Sequence, residues 1–426
     1  MQFMNTTKRS LLSQLGPGLM YAGAAVGVSH LVQSTRAGGM FGFDLIIAIL
    51  IIHLVKYPFF EFGPRYTAAT CRNILHGYKQ LGSWGVWVYI AITLMSMLIT
   101  QSAVTVVTAG LLINIFHLES LGGLEPQRLA ALISLGLLIL CFALLATGRY
   151  RLLNKLVKII ILVLSITSVL AVTMLIFDNP GYYKTADVHF SFNDTAHLIF
   201  LATFLGWMPA PIDISVWQSI WAESNNESSG EITGIKAALF DFRVGFFGTA
   251  FLAICFLLLG GLVMYGSGET FSPNGIVFAG QLMDLYQKSL GNWAYPIVAV
   301  AAFTTMFSTT LTCLDAYPRS LSASSELLFP EFMNHKNQKR HYLFWLIFTV
   351  IGTVLILFFF LTSMQAMVKV ATILAFVIGP VLAGLNTLAM FGKSVPEHAR
   401  PGKVMWIWCW LSLAIMVACS IAYLLL

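Results

Sequence analysis

Gly206-Trp-Met-Pro-Ala-Pro-Ile-Asp213 interrupts an otherwise apolar stretch that runs from about residue 195 to 221. Pro209 and Pro211 have no amide hydrogen, and each disfavours helix in the residue before it. The two cannot both sit inside one regular helix. A second interruption, Gly23-Ala-Ala-Val-Gly-Val-Ser-His30, lies at comparable depth in the first apolar stretch. Counting apolar stretches makes these spans one and six, the matching positions of two five-span halves. Broken spans in matching positions point to an inverted repeat with a substrate site near the membrane midplane, as in secondary transporters. Two unrelated packing kinks are the plainer alternative.

The rest of the chain supports a membrane reading. Of 426 residues, 58% are hydrophobic and only 10% are charged, with a mean hydropathy of +0.81. A soluble chain of this size needs far more charge to cover its core, typically about 25%. Soluble enzymes, nucleic-acid binders and disordered proteins are thereby excluded. The apolar runs are long, not short and alternating, so the fold class is an all-α polytopic membrane protein. A span needs about 20 apolar residues. Eleven segments qualify: about 12–37, 41–64, 85–116, 127–147, 152–177, 195–221, 236–265, 292–316, 342–361, 364–391 and 404–426. An amphipathic piece, Phe278 to Leu290, is expected on the outer surface. Lys8 and Arg9 precede the first apolar stretch without a clear cleavage site, so that stretch is expected to be retained.

Charge sets the expected orientation. With the N-terminus cytoplasmic, seventeen Lys and Arg residues fall on the cytoplasmic side. Only Arg36, Arg128, Lys184, Lys288 and Lys369 fall on the other. The expected location is the cell (inner) membrane, with the C-terminus outside. The six cysteines lack metal-ligand spacing and read as packing residues.

Unwinding frees backbone groups that must find partners or line a cavity. Ser29 is a candidate cap of the outer half of span one, with His30 and Gln33 in its first turn. Asp213 falls in the first turn of the inner half of span six, where the helix dipole favours a carboxylate. An intramembrane acid is a functional candidate by default. A neutral imidazole at His30 and a thioether at Met208 are both candidate ligands for a transition metal. The proposed metal set is therefore His30, Met208 and Asp213, expected around one midplane site with Ser29 and Gln33 nearby. Span eight carries a hydroxyl run, Thr304 to Thr312. Ser308 and Thr309, with carbonyls from the span-one break, form a candidate sodium site; hydrogen bonding between packed helices is the alternative. Asp315 and Arg319 read as a local ion pair. Lys56 with Glu61, and Asp241 with Arg243, read as charges near the membrane faces.

At these residues the chain resembles the Nramp divalent-metal transporters. Gly16-Pro-Gly18 through Arg36-Ala-Gly-Gly-Met-Phe-Gly42-Phe43 is similar to their first span, Trp207-Met-Pro209 to their Met-Pro-His segment, and Ser308-Thr-Thr-Leu-Thr312 to their eighth-span hydroxyl run. The resemblance implies the LeuT-type fold, a 5+5 inverted repeat plus an eleventh helix, working by alternating access. It implies one transmembrane domain over 1–426, with repeat one at about 12–177, repeat two at about 195–391 and the extra helix at about 404–426. The departures are specific. The family's Asp-Pro-Gly-Asn motif falls on Gly27-Val-Ser-His30, so its aspartate is Gly27 and its asparagine His30. Met208 matches the metal-binding methionine, the following histidine falls on Ala210, and the third-span acids fall on Gln101 and Val104.

The leading expectation is a secondary transporter of a divalent metal cation, bound bare or hydrated at a midplane site between broken spans one and six, with Gly27, Ser29, His30, Gln33, Met208, Ala210 and Asp213 as the substrate-binding residues. Its partners are the lipid bilayer and a small ion or small-molecule substrate, with sodium or protons as coupling ions and no bound cofactor. The alternatives are a sodium-coupled carrier of a small organic solute or anion, and a non-transporting receptor or scaffold. A membrane enzyme is disfavoured, because the sequence offers no nucleophile–base pair.

Overall fold

The computed structural model describes residues 16–118, 123–147, 150–178, 188–268, 271–272, 274–331, 337–360 and 363–426. Lys8, Arg9, residues 12–15, Arg149, Lys184 and Lys336 lie outside the described residues, and so do the expectations that rest on them. Span one is α1 (Pro17–Ala25), a π-helical turn (Ser29–Ser34) and α2 (Thr35–Phe41). Span two is α3 (Ile46–Thr70), followed by a short α4 (Ile74–Leu81). Spans three to five are α5 (Ser83–Ile115), α6 (Pro126–Ala146) and α7 (Tyr150–Asp178). Span six is split into α8 (Thr195–Trp207) and α9 (Asp213–Ser229), and span seven is α10 (Ile235–Val263). After α11 (Gly275–Leu290) come α12 (Tyr295–Leu328), α13 (Gln338–Phe359), α14 (Met364–Met390) and α15 (Lys403–Leu424).

Eight of these helices are long and apolar enough to cross a membrane: α3, α5, α6, α10 and α12 to α15. The remaining spans are the two broken ones and α7, whose apolar part is Leu162–Phe177. The protein is an integral, multi-pass membrane protein. The amphipathic piece forms α11, with Phe278, Leu282, Met283, Leu285 and Tyr286 buried as it packs on α5 and α7.

The helices are inside out relative to a soluble bundle. On α3, Ile47, Leu50, Ile51 and Leu54 are exposed at helical spacing, whereas Lys56 and Glu61 are buried. With lipid outside, apolar burial does not drive helices together, and close backbone approach takes over. Gly18 of α1 and Gly245 of α10 show how. A Cβ at either would lie 2.1–2.2 Å from a backbone oxygen of the other helix. The same seam is tied by charge. Asp241 of α10 accepts from the amides of Gly16 (2.9 Å) and Gly18 (2.6 Å), satisfying the free N–H groups at the start of α1.

Prolines inside spans free carbonyls that lipid cannot satisfy. Pro58 leaves the Leu54 carbonyl, and Pro380 leaves that of Phe376. Both are filled from α15. Trp408 Nε1 donates to Leu54 O (3.1 Å), and Ser420 Oγ donates to Phe376 O (3.1 Å). The eleventh helix thus completes one helix from each half of the fold.

Candidate functional site

Both interruptions fall where the glycines and prolines place them. The helix of span one stops at Ala25 and resumes at Ser29. Span six stops at Trp207, passes through an extended Met208, and resumes at Asp213. The two breaks adjoin, with α1 packed on α9 and the π-helical turn packed on α8. Between them is a small cavity of about 30 Å³. It is bounded by Gly27 and Ser29, the indoles of Trp207 and Trp217, Thr309 and Cys313. That is room for about one water molecule.

Gly27 is required at this wall. A Cβ there would lie 2.8 Å from Thr309 Oγ1 and 2.9 Å from its Cγ2. The absence of a side chain lets α12 bring Thr309 against the break. Thr309 Oγ1 lies 3.4 Å from Gly23 O, 3.3 Å from Val26 O and 3.1 Å from Thr305 O. A single hydroxyl hydrogen can serve only one of these carbonyls. The hydroxyls of Ser308 and Thr305 are buried without a hydrogen-bond partner. The 3.1–3.4 Å separations of the three carbonyl oxygens from Thr309 Oγ1 match those between neighbouring vertices around a hard cation bound at about 2.4 Å. The next hydroxyl does the packing. Thr310 bonds Thr108 (2.7 Å), and Gln101 Nε2 donates to Thr310 O (3.1 Å), joining α5 to α12.

The predicted metal set is not assembled at the cavity, whose lining includes none of its three members. His30 Nε2–H donates to Thr249 O of α10 (3.1 Å), so Nδ1 accepts from the Ser29 hydroxyl (2.7 Å). With both ring nitrogens engaged, no lone pair is left for a metal. Ser29 does not cap the outer half-helix. Its hydroxyl lies 2.8 Å from Ala25 O at the end of α1 and 2.7 Å from His30 Nδ1, and its one hydrogen serves one of the two at a time. Met208 is buried in an apolar cluster with Phe41, Phe200, Phe204 and Leu257. Asp213 is 5% exposed in the first turn of α9. Its Oδ1 is buried without a hydrogen-bond partner, and the Ile214 amide beside it donates to Pro211 O (3.2 Å). Gln33 is buried with a free Oε1. Among the described residues, no three His, Cys, Asp or Glu side chains are grouped to hold a metal ion.

Lys56 does not pair with Glu61, and it is not near a face. It is 3% exposed. Its ammonium donates to Leu205 O (2.8 Å), Gly206 O (3.0 Å) and Ala210 O (3.4 Å), the carbonyls freed by the break in span six. Glu61 binds Tyr57 (2.6 Å) and Arg65 (2.7 Å), with Arg243 at 3.7 Å. Asp315 and Arg319 do pair, at 2.7 Å. Sequence proximity missed Lys56, but depth could have found it. Ten residues into α3, it stands roughly 15 Å from the helix start, beyond the reach of a snorkelling side chain.

A larger cavity of about 660 Å³ lies where α4, α9, α12 and α13 meet, lined by Arg72, Glu223, Glu227, Glu326 and Lys339 among others. Asn73 donates to Glu223 across it. Burial holds the Glu223 carboxyl above its usual range and pushes the His76 imidazole below its own, with the Arg72 charge adding to the latter.

Residues 18–426 match the sequence model described as "Nramp: Natural resistance-associated macrophage protein-like". A 413-residue alignment is 35% identical to "Uncharacterized protein PM0681" of Pasteurella multocida (strain Pm70), covering 95% of this chain and 90% of that one. Among solved structures, a mutant of the Eremococcus coleocola manganese transporter superposes with a TM-score of 0.70 at 14% identity, over 98% of this chain and 88% of that chain. MhsT in complex with L-phenylalanine superposes with a TM-score of 0.63 at 17% identity, over 96% and 98% of the two chains. At these identities the superpositions show the fold, the LeuT-type arrangement.

Proposed function

The chain belongs to the Nramp family, and from that premise we propose that it carries a divalent metal cation across the membrane by alternating access, the 30 Å³ cavity at the junction of the two breaks widening in the transport cycle to admit the ion with most of its water shell. The observation that carries the reading is the convergence of both interrupted spans on one cavity walled by Gly27, Ser29 and Thr309. Hydration follows from the lining. Among the described residues no carboxylate lines the cavity, and a bare dication needs hard, charged ligands. In this reading Asp213, with one free oxygen, compensates the charge at the break; Met208 and Ala210 belong to the interruption of span six and Gln33 to the π-helical turn of span one, and His30 holds that turn to α10.

Sodium is the coupling ion in this reading, bound by Thr309, Ser308 and the carbonyls of Gly23, Val26 and Thr305. The two repeats span about 12–177 and 195–391. The N-terminus is cytoplasmic in the cell membrane, which makes the 660 Å³ cavity the inner vestibule. The reading includes no enzymatic step.

Reconstitution into liposomes tests it. Manganese or magnesium uptake is expected to accelerate under an inward sodium gradient, and Thr309→Ala to abolish that acceleration. A second reading, sodium-coupled carriage of a small organic solute, is favoured by the two indoles and the uncharged cavity lining. Absence of divalent flux, together with sodium-dependent thermal stabilisation by organic anions, would select it.

A further inference from the structure

A helix that ends in mid-membrane leaves carbonyls and a partial negative charge with nothing to pair them. In span six those carbonyls belong to Leu205, Gly206 and Ala210, and all three are met by one ammonium. That ammonium spends its three hydrogens on them, so none is left to anchor cargo. The buried carboxylate that acts on it is Asp213, three residues past Ala210 at the start of α9, with one oxygen unpartnered.

We infer that Lys56 is the resident cation of the broken sixth span. It occupies, as part of the chain, the place at these carbonyls that a bound ion would otherwise take, and with Asp213 it makes a balanced pair that leaves no net charge for cargo. Lys56 is thus a selectivity residue. While its charge is present, a dication gains nothing from the sixth-span carbonyls and only a masked attraction from Asp213, which is why it stays hydrated. This rests on the break being the cargo site, and it adds the reason for the form in which cargo is held.

The other charged or titratable group noted near the ammonium is His53, one turn earlier on α3. It bonds back to Ile49 O at 2.7 Å and supplies no counter-charge. Among the described residues the role of counter-charge therefore falls to Asp213, and a double substitution isolates it.

The test uses the full-length protein in detergent, with manganese chloride as the probe and thermal shift plus equilibrium binding as readouts. Lys56→Met removes the charge while filling the space. It is expected to bind manganese at least tenfold more tightly than the parent chain, and Lys56→Met with Asp213→Asn is expected to lose that gain. Equal manganese affinity in Lys56→Met and parent overturns the proposal, as does a gain that survives Asp213→Asn. If Lys56→Met does not fold, Lys56→Ala with added ethylammonium decides. Recovery of its melting temperature by ethylammonium, but not by the same concentration of sodium chloride, supports a resident cation; no recovery overturns it. The rescue depends on Lys56 alone. A chain that shows rescue but no manganese response in any variant would refute the metal reading of the cargo and the selectivity role, and leave the ammonium's structural place standing.

Discussion

A side chain at position 27 has nowhere to go. The β-branched Thr309 cannot swing both Oγ1 and Cγ2 away from a Cβ 2.8–2.9 Å distant. Gly27→Ala should cost about 1–3 kcal/mol through overpacking. Thr309→Ala in the same chain should recover part of the loss, because the two positions share one contact. Melting temperatures of the two single variants and the double variant give the answer, and a Gly27→Ala chain as stable as the parent would show that the wall is loose. Gly27→Asp, which restores the family residue, meets the same obstruction and should destabilise without creating a metal site. The sequence told that an aspartate is missing here. It did not tell why, because the obstructing residue lies 282 positions away and on another helix. Lys56 was hidden for a related reason. Glu61 is near it in sequence, but five residues along a helix turn roughly 140°, so the two side chains leave α3 on different faces. His30 shows the converse. The residue type suggested a ligand, and only its packing reveals two engaged nitrogens.

At the scale of elements, proline and glycine were the legible part. Their effects are local, so both breaks could be placed to within a residue or two. The matching of elements was not legible. Trp408 and Ser420 read as ordinary residues of a final apolar span, yet each fills a carbonyl opened by a proline elsewhere. Removing one such bond should cost about 0.5–1.5 kcal/mol. Trp408→Phe keeps a ring to stack on Tyr57, whose plane lies within 5° of the indole, while losing the donor. Ser420→Ala loses only the donor. The sites are well separated along α15, so the combined loss should be the sum. Denaturation in mixed micelles would measure it, and a double variant no weaker than the parent would show that water or lipid headgroups already serve those carbonyls.

Across the whole molecule, the apolar spans and their order were readable because lipid imposes length and apolarity on each, although α3, α9 and α12 run past their expected ends. The spaces between them were not. The cavity framed by α4, α9, α12 and α13 arises from the extension of α9 and α12 beyond the apolar stretches, to Ser229 and Leu328. Its two shifted groups have opposite signs. His76 is lowered in the folded chain, so its contribution is present above the ordinary imidazole value of 6.5 and is lost as pH falls below it. Glu223 is raised above 4.5, so its contribution is present at low pH and is lost as pH rises through the shifted value. Between pH 7.5 and 5, His76→Gln should therefore flatten a fall in melting temperature on acidification, and Glu223→Gln should steepen it. Identical pH profiles in parent and both variants would contradict the assignment.

The two bonds from α15 also bear on how the chain is made. Leu54 and Trp408 are 354 residues apart. At ordinary translation rates of about 5–20 residues per second, Leu54 waits roughly 20–70 s in the bilayer before its partner is synthesised. Through that interval span two carries a carbonyl that Trp408 has not yet filled, and a chain that stops before α15 never fills it from there.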